Sequence, residues 1–321
     1  MVKVHFLNVG NGDCTVIEHD GGNLSIIDIN NGEELDDETA AEVSEELKYN
    51  PTAIYNLVDQ QGFTPYQILK ALGYQRELEN PVKFINVNYP NKDIWRFILT
   101  HPDMDHMSGL KVLTKEKIIH NFWDTNHNKE IEEFISDSEK EDWEYYIKLR
   151  KGGNSNIHKK HRGEIGAHFN QHPLLKNHPG DGLYILAPTP ELVENSNNNE
   201  NWNNMSYVLM LQYAGIKVIF GGDAEKDVWD SIVKNYDSSV LSCHILKASH
   251  HGRDSGFHEK AVEIMRPVYT IVSVGKKPDT DASNKYKKHT ITGVWSTRWK
   301  GNVTVEIGDN GKFSILSQYD N

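Results

Sequence analysis

The stretch that decides the fold is residues 98–109, which read Ile-Leu-Thr-His-Pro-Asp-Met-Asp-His-Met-Ser-Gly. An apolar run at 95–100 predicts a strand that leads into His101, and Pro102 with Gly109 predicts a turn before a helix. Four side chains that commonly bind metals fall within six residues: His101, Asp103, Asp105 and His106. Such a loop can direct them around one cavity, so the spacing predicts a centre for two cations about 3.5–4 Å apart. An acidic surface turn that happens to contain histidine is the alternative.

Two carboxylates end other predicted strands. Asp223 follows Ile-Phe-Gly-Gly, whose glycines allow close approach of a ligand, and its carboxylate could bridge two cations. The same residue could instead cap a helix predicted at 224–235. Asp28 ends the run at 24–29 and is expected to orient a ligating imidazole.

A pair of histidines ends one more predicted strand. His250 and His251 follow the apolar run 243–249 and precede a glycine. Because adjacent side chains point to different sides, at most one of the two is expected to be a direct ligand. Four separate strand ends thus carry residues of metal-binding type, which favours one shared site over chance placement.

Apolar periodicity predicts short strands in two groups separated by helical segments. The predicted strands are 4–9, 14–19, 24–29 and 95–100, then 206–213, 216–221, 243–249, 268–274, 303–307 and 312–317; the predicted helices are near 130–150, at 224–235 and at 257–265. This order predicts two sheets packed face to face with helices outside. Residues 33–90 and 126–180 are predicted insertions, and 195–204 is predicted to be an Asn-rich loop.

In this order the motifs resemble the metallo-β-lactamase superfamily, and within it the branch with the hydrolase domain of bacterial competence DNA-uptake channels. The shared features are Asp28, the H-x-D-x-D-H of 101–106 with Asp103 at the usual second histidine, Asn203-x-x-Ser206 before Gly-Gly-Asp223, His250-His251-Gly252, and Asn284-x-Tyr286 with His289. Two positions depart from the pattern. Arg253 occupies the position at which a serine commonly follows His-His-Gly. The superfamily's middle histidine ligand has no clear counterpart, and His127 is a candidate for its role.

The resemblance implies an α/β fold, a metallo-β-lactamase-type αββα sandwich of two mixed sheets with helical insertions, in a single domain spanning 1–321. It implies two divalent metal ions, Zn²⁺ or Mn²⁺, with His101, Asp103 and Asp223 on one and Asp105, His106, Asp223 and His250 on the other. Asp28, Asn203 and Ser206 would support these ligands. Asp105 would also orient the attacking water, while His251, Lys247, His289, Asn284 and Tyr286 would contact the substrate.

Composition limits the classes of partner. The formal net charge of −12 argues against coating of duplex nucleic acid, although a metal pair would add about four positive charges in one cleft. Cys14 and Cys243 lie in strand-like runs and are expected to be buried thiols. The amino terminus lacks signal-peptide features and no run approaches the roughly 20 apolar residues of a membrane span, so we expect a cytoplasmic protein without membrane contact.

The substrate is indicated by a basic and aromatic stretch, residues 145–162, which contains Lys159, Lys160 and Arg162. This composition is typical of sites that hold single-stranded nucleic acid, although a solvated helix and a mobile loop are the alternative. A second such stretch lies at 285–300. The sequence therefore favours a metal-dependent phosphodiesterase or nuclease acting on nucleic acid or nucleotides.

Two other functions stay open. A hydrolase of carboxyl bonds (thioester, lactone, amide or peptide) would use the same centre, and a closed apolar pocket would favour it over phosphates. A non-catalytic, metal-stabilised binding module would instead show blocked or incomplete metal coordination.

Overall fold

The structure, a computed structural model, describes residues 1–32, 35, 37–48, 62–152, 156–166, 168–170 and 180–320. Parts of the two predicted insertions, 33–90 and 126–180, lie outside the described residues. Within the described part of the chain, no helix has the length and apolar character needed to cross a bilayer.

The described strands form two mixed sheets. Their bounds are β1 Val2–Phe6, β2 Thr15–Glu18, β3 Leu24–Ile27, β4 Ile94–Ile98, β5 Ile119–Trp123, β6 Ile157–His158, β7 Leu183–Ala187, β8 Val208–Tyr213, β9 Ile216–Phe220, β10 Ile245–Lys247, β11 Tyr269–Val272, β12 Gly293–Ser296, β13 Val303–Ile307 and β14 Phe313–Ser317. The larger sheet has the order β14-β13-β1-β2-β3-β4-β5-β6, and the smaller has the order β12-β11-β10-β9-β8-β7. In the larger sheet β3 to β6 run parallel, and in the smaller sheet β9 to β12 do so.

Helices cover the outer faces of both sheets. They are Asp37–Glu46, Pro65–Ala71, Pro81–Asn88, Leu110–Glu116, Asp137–Lys151, Pro190–Asn199, Lys226–Asn235, Ser238–Leu241, Glu259–Met265, Ser283–His289 and Thr297–Lys300. The core between the sheets is apolar, and Phe6 of β1 meets Phe220 of β9 there with ring centroids 6.0 Å apart. Trp143 packs outside the larger sheet and Trp229 outside the smaller one. The layers are therefore helix, sheet, sheet and helix, which confirms the predicted αββα sandwich of two mixed sheets.

The strands of the sequence-based prediction are present with shifted ends, and one predicted loop is wrong. Residues 195–204 are not an open loop, because the helix Pro190–Asn199 runs into them. Thr189 caps this helix by accepting from the Leu192 amide, Pro190 occupies its first turn, and Glu200 ends it in the left-handed region at φ 54°. These end signals outweigh the weak helix propensity of the asparagines.

The long helix predicted near 130–150 begins later than its pattern indicates. It spans Asp137–Lys151, because the Ser136 hydroxyl accepts from the Glu139 amide and fixes the first turn. Cys14 and Cys243 are buried free thiols, as predicted.

Candidate metal centre

The centre lies where strands of both sheets end. Strands β3 and β4 are parallel neighbours, so the residues that follow them, Asp28 and His101, emerge at one edge of the larger sheet. Strands β9 and β10 are parallel neighbours in the smaller sheet and deliver Asp223 and His251 to the facing edge. His106 completes the group from the short 3-10 turn Met104–His106.

In three imidazoles of the centre, one ring nitrogen forms a hydrogen bond on the side of the ring that faces away from the centre. His101 Nδ1 donates to Thr100 Oγ1 (3.1 Å), and His106 Nδ1 donates to Asp28 Oδ2 (2.8 Å). His251 Nδ1 donates to the backbone carbonyl of Ser273 (3.1 Å). Each ring is therefore oriented so that Nε2, the nitrogen available to a metal, faces the other ligands.

The Nε2 atoms meet a central carboxylate. Asp223 Oδ1 lies 3.4 Å from His106 Nε2, and Asp223 Oδ2 lies 3.5 Å from His251 Nε2 and 3.9 Å from His101 Nε2. Asp105 Oδ2 lies 3.1 Å from His251 Nε2 and 3.7 Å from His106 Nε2. Asp223 is almost fully buried, whereas the Asp105 side chain is 43% exposed and forms the open side of the centre.

The donor set fits a divalent cation. Buried His101 Nε2, His106 Nε2 and Asp223 Oδ1 have no hydrogen-bond partner, which is costly unless a ligand satisfies them. Among the described residues, the groups with donor atoms within 4.8 Å of one another are His101/His106/Asp223, Asp105/His106/His251, Asp13/Asp223/His251 and Asp13/Asp28/His106. Mixed imidazole and carboxylate ligands suit Zn²⁺ or Mn²⁺.

The charges of the ligand side chains also favour binding of a cation at this centre. Partial desolvation of the Asp105 carboxylate opposes its ionisation, but the adjacent His106 and His251 outweigh this effect and lower the pKa of Asp105 to about 2. Burial likewise disfavours the imidazolium of His251, yet Asp223 and Asp105 raise the pKa of His251 to about 10. Protons on the imidazoles thus balance the carboxylates, and a bound cation would replace these protons.

Asp13 also lies at the centre, although no local sequence pattern indicates it. It lies in the Asn-Gly-Asp turn before β2, which reads as an ordinary hairpin turn. Its Oδ1 is buried without a hydrogen-bond partner, and its Oδ2 accepts from Lys247 Nζ at 2.8 Å. Lys247 was predicted to contact the substrate, but its side chain is only 3% exposed and holds Asp13 instead.

The two adjacent histidines lie at different depths. His251 belongs to two of the four ligand groups, whereas His250 belongs to none and its Nε2 lies 3.8 Å from Asp223 Oδ2. His250 Nδ1 contacts Ser255 Oγ at 2.7 Å. The geometry therefore favours His251 over the predicted His250 as the direct ligand.

The backbone of this loop is unusual. Three successive residues have positive φ values, which are 49° for His250, 52° for His251 and 77° for Gly252. Residues other than glycine rarely adopt this backbone conformation. Strain of this kind persists where the surrounding structure enforces it, often at functional sites.

Asp28, Ser206 and Asn203, the predicted supporting residues, form hydrogen bonds around the two sheet edges. Asp28 also accepts from the Thr100 amide (2.7 Å), and Ser206 Oγ accepts from the Asp223 amide (3.3 Å). Asn203 Nδ2 donates to Glu225 Oε1, which lies 3.4 Å from His250 Nδ1.

The alternative role of Asp223 as a helix cap is wrong. The helix Lys226–Asn235 has Glu225 at its N-cap position, without a capping side chain, and Asp223 turns inward to the imidazoles.

Asp103 and His127, two of the predicted candidate ligands, lie outside the compact ligand groups of the described residues. Asp103 belongs to none of the four groups, and its Oδ1 accepts from Lys129 Nζ at 2.5 Å. His127, the candidate for the missing histidine, has both ring nitrogens engaged, since Nδ1 accepts from the Lys129 amide and Nε2 contacts Tyr146 Oη. It therefore has no nitrogen free for a metal.

The late Asn-x-Tyr…His element lies behind the histidine loop. Tyr286 is fully buried and donates to the Gly256 carbonyl (3.3 Å), while His289 packs beside Phe257 and lies 3.9 Å from Glu259. The burial of Tyr286 argues against its predicted contact with the substrate, whereas the predicted role of His289 stays a prediction. Asn284 is exposed on the same helix, Ser283–His289.

The predicted basic residues line two other cavities. Lys159 and Lys160 border a cavity of about 470 Å³ that also contacts Asp124, Asn126 and Asn197. Arg162 borders a second cavity, and its guanidinium donates to Ser231 Oγ (3.0 Å), so it is held against the helix Lys226–Asn235.

Comparison with known proteins identifies one sequence relative. No protein-family model matches the chain. ComE operon protein 3 of Bacillus subtilis (strain 168) is 25% identical to it over 238 residues, which are 71% of this chain and 27% of that protein. The chain thus spans about a quarter of the length of this relative. The match confirms the predicted resemblance to the competence branch.

Solved structures of similar shape include two metalloenzymes. Igni18, a metallo hydrolase from Ignicoccus hospitalis, is 12% identical with a TM-score of 0.44, over 99% of this chain and 100% of that one. CmlA, a diiron β-hydroxylase from Streptomyces venezuelae, is 11% identical with a TM-score of 0.49, over 95% of this chain and 54% of that one.

Proposed function

We propose that this chain is a metal-dependent hydrolase that cleaves phosphodiester bonds in nucleic acid or nucleotides. The observation that carries the proposal is the convergence of buried, unpartnered ligand atoms from both sheets, namely His101 Nε2, His106 Nε2 and Asp223 Oδ1. Ligands that reach one point from separate strand ends favour a functional centre over a structural ion pair.

The residues of the centre would have three roles, which are metal binding, orientation of the attacking water and support of a ligand. Zn²⁺ or Mn²⁺ would be held by the group of His101, His106 and Asp223 and by the group of Asp105, His106 and His251. A bound divalent cation lowers the pKa of water toward about 7, which supplies a nucleophile at neutral pH. Asp105, the exposed carboxylate, would accept a hydrogen bond from the attacking water and orient it. The buried Asp28 keeps His106 in the tautomer that leaves Nε2 free.

The preference for phosphates rests on the cavity that Lys159 and Lys160 border, which the segment 124–129 connects to Asp103. The segment 124–129 lines that cavity at Asp124 and Asn126 and ends at Lys129, which contacts Asp103. Lys159 Nζ, exposed at its rim, is available to a phosphate because its contact within the chain is to the neutral Asn126 amide. Cations at the rim of a metal cleft favour an anionic substrate.

Incubation of the purified protein with Mn²⁺ or Zn²⁺ and single- and double-stranded DNA, RNA and cyclic nucleotides tests this proposal. We expect cleavage of at least one class, lost in Asp223→Asn. If no phosphodiester is cleaved while metal analysis shows the centre to be loaded, the proposal is wrong.

A hydrolase of carboxyl bonds is the second candidate, because a cavity of about 370 Å³ adjoins Asp105. Its walls include the apolar side chains of Val9, Leu35, Leu78 and Ile135. Such a lining suits an acyl group better than a phosphate. Parallel assays with thioester and lactone substrates distinguish the two candidates.

A further inference from the structure

Lys129 reaches the centre from outside all of the ligand motifs. Its Nζ lies 2.5 Å from Asp103 Oδ1, and its side chain is only 17% exposed. His101 Nε2 lies 3.6 Å from Asp103 Oδ2 on the other side of the carboxylate. The ammonium therefore stands beside the ligand that the family resemblance assigns to the first metal.

The backbone around Lys129 is held in place. The Lys129 amide donates to His127 Nδ1 (3.0 Å), and the Arg150 guanidinium donates to the His127 carbonyl (3.0 Å). The Asn128 amide donates to Asn197 Oδ1 (3.0 Å). Residues of the helices Asp137–Lys151 and Pro190–Asn199 both hydrogen-bond to this segment, so the backbone of Lys129 is fixed. The side chain therefore loses little further conformational entropy when it contacts Asp103.

The ammonium and a first metal would compete for the same carboxylate. Asp103 joins none of the compact ligand groups of the described residues. Of the three ligands that the resemblance implies for the first metal, only His101 and Asp223 lie together in such a group. A lysine ammonium is a compact positive charge with three donors and can fill the place of a small cation. Two cations at contact distance on one carboxylate repel each other.

We propose that Lys129 replaces the first divalent cation, so that the centre holds a single metal ion near Asp105, His106, Asp223 and His251. The inference rests on the proposed metal centre and concerns only the number of ions it holds. Lys129 then provides a fixed positive charge on the Asp103 side and can donate to an anionic substrate oxygen. Activation of water is confined to the Asp105 side.

Metal stoichiometry tests the inference independently of activity. The full chain is dialysed against Mn²⁺ and analysed for bound manganese and for its electron paramagnetic resonance spectrum. We expect one Mn²⁺ per wild-type chain with the signal of an isolated ion. We expect Lys129→Met, which keeps the length of the side chain without its charge, to approach two, with loss of signal from spin coupling.

Two variants serve as comparisons. Lys129→Arg keeps the charge and should bind one ion, and Lys159→Met removes a lysine from the same insertion and should also bind one. Two ions in the wild type, or one ion in a Lys129→Met protein that unfolds at the wild-type temperature, would overturn the inference. Binding of no manganese by the wild type would instead reject the metal centre itself.

Discussion

At the scale of single residues, the centre depends on hydrogen bonds made on the far side of each imidazole. The contact between Asp28 and His106 is the shortest of them, at 2.8 Å, and Asp28 has φ 58°. Asparagine also tolerates the left-handed region, so Asp28→Asn changes the charge with little strain on the backbone.

We expect Asp28→Asn to weaken metal affinity by roughly 10–100-fold, because the amide no longer fixes the tautomer of His106 as a carboxylate does. Competition with a chelator measures the change. Asp93→Asn, in an exposed contact with His120 (3.2 Å), is the matched variant and should leave affinity unchanged. Equal affinities of the two variants would contradict the role of Asp28.

The buried pair of Lys247 and Asp13 makes a second prediction at this scale. Lys247→Met should lower the free energy of unfolding of the metal-free protein by about 3 kcal/mol, because it leaves Asp13 buried without its partner. Urea denaturation in the presence of EDTA measures it, with the exposed Lys159→Met expected within about 0.5 kcal/mol of wild type. A stable Lys247→Met protein would show that Asp13 is satisfied by other groups.

Sequence patterns predict a residue of the centre only where that residue follows a recognisable strand-like run. His101, Asp105, His106 and Asp223 follow apolar runs, and the structure brings them together. Asp13 sits in a turn where aspartate is ordinary, and Lys129 sits in a polar insertion, so neither has a local signal. Their importance comes from contacts across 234 and 26 residues of chain, which periodicity cannot report.

At the scale of elements, the helix Pro190–Asn199 shows how end signals can decide structure. Its final turns are rich in asparagine, which is a poor helix former, and the composition predicted a loop. The Thr189 cap and Pro190 start the helix, and Leu192 anchors it in the core of the smaller sheet. The sequence contained these signals, but the composition of 195–204 obscured them.

We expect Thr189→Ala to lower the free energy of unfolding by about 1 kcal/mol, because the Leu192 amide loses its acceptor. Thr189→Ser keeps the hydroxyl and should stay close to wild type. Chemical denaturation followed by circular dichroism compares the two. If both variants lose the same stability, the methyl group rather than the cap is responsible.

At the scale of the whole molecule, the centre joins the two sheets. His106 comes from the larger sheet, whereas Asp223 and His251 come from the smaller one. A metal bound between them favours the packed state over the unfolded chain, since the unfolded chain lacks the assembled ligands.

Removal of metal should therefore destabilise the entire fold. We expect Mn²⁺ at about 100 times its Kd to stabilise the wild type by about 2.7 kcal/mol relative to EDTA-treated protein. Thermal unfolding with and without Mn²⁺ measures the shift, which should be absent in Asp223→Asn. An unchanged wild-type transition at saturating metal would indicate that the ligands do not bridge the sheets.

The general architecture was accessible from the sequence, because alternating apolar runs identify strands and their two groups identify two sheets. The patterns do not predict strands β5, β6, β7 and β12, which the structure places in the two sheets. The order of strands within each sheet depends on long-range pairing, and local patterns do not specify it.

One such pairing has a consequence for synthesis on the ribosome. Strand β1 lies between β2 and β13, with Val4 opposite Val305, so β1 is synthesised long before its partner β13. At about 5–20 residues per second, that edge of β1 stays unpaired for roughly 15–60 seconds. During this interval it can pair with a foreign strand, so the nascent chain should benefit from a chaperone that shields exposed edges.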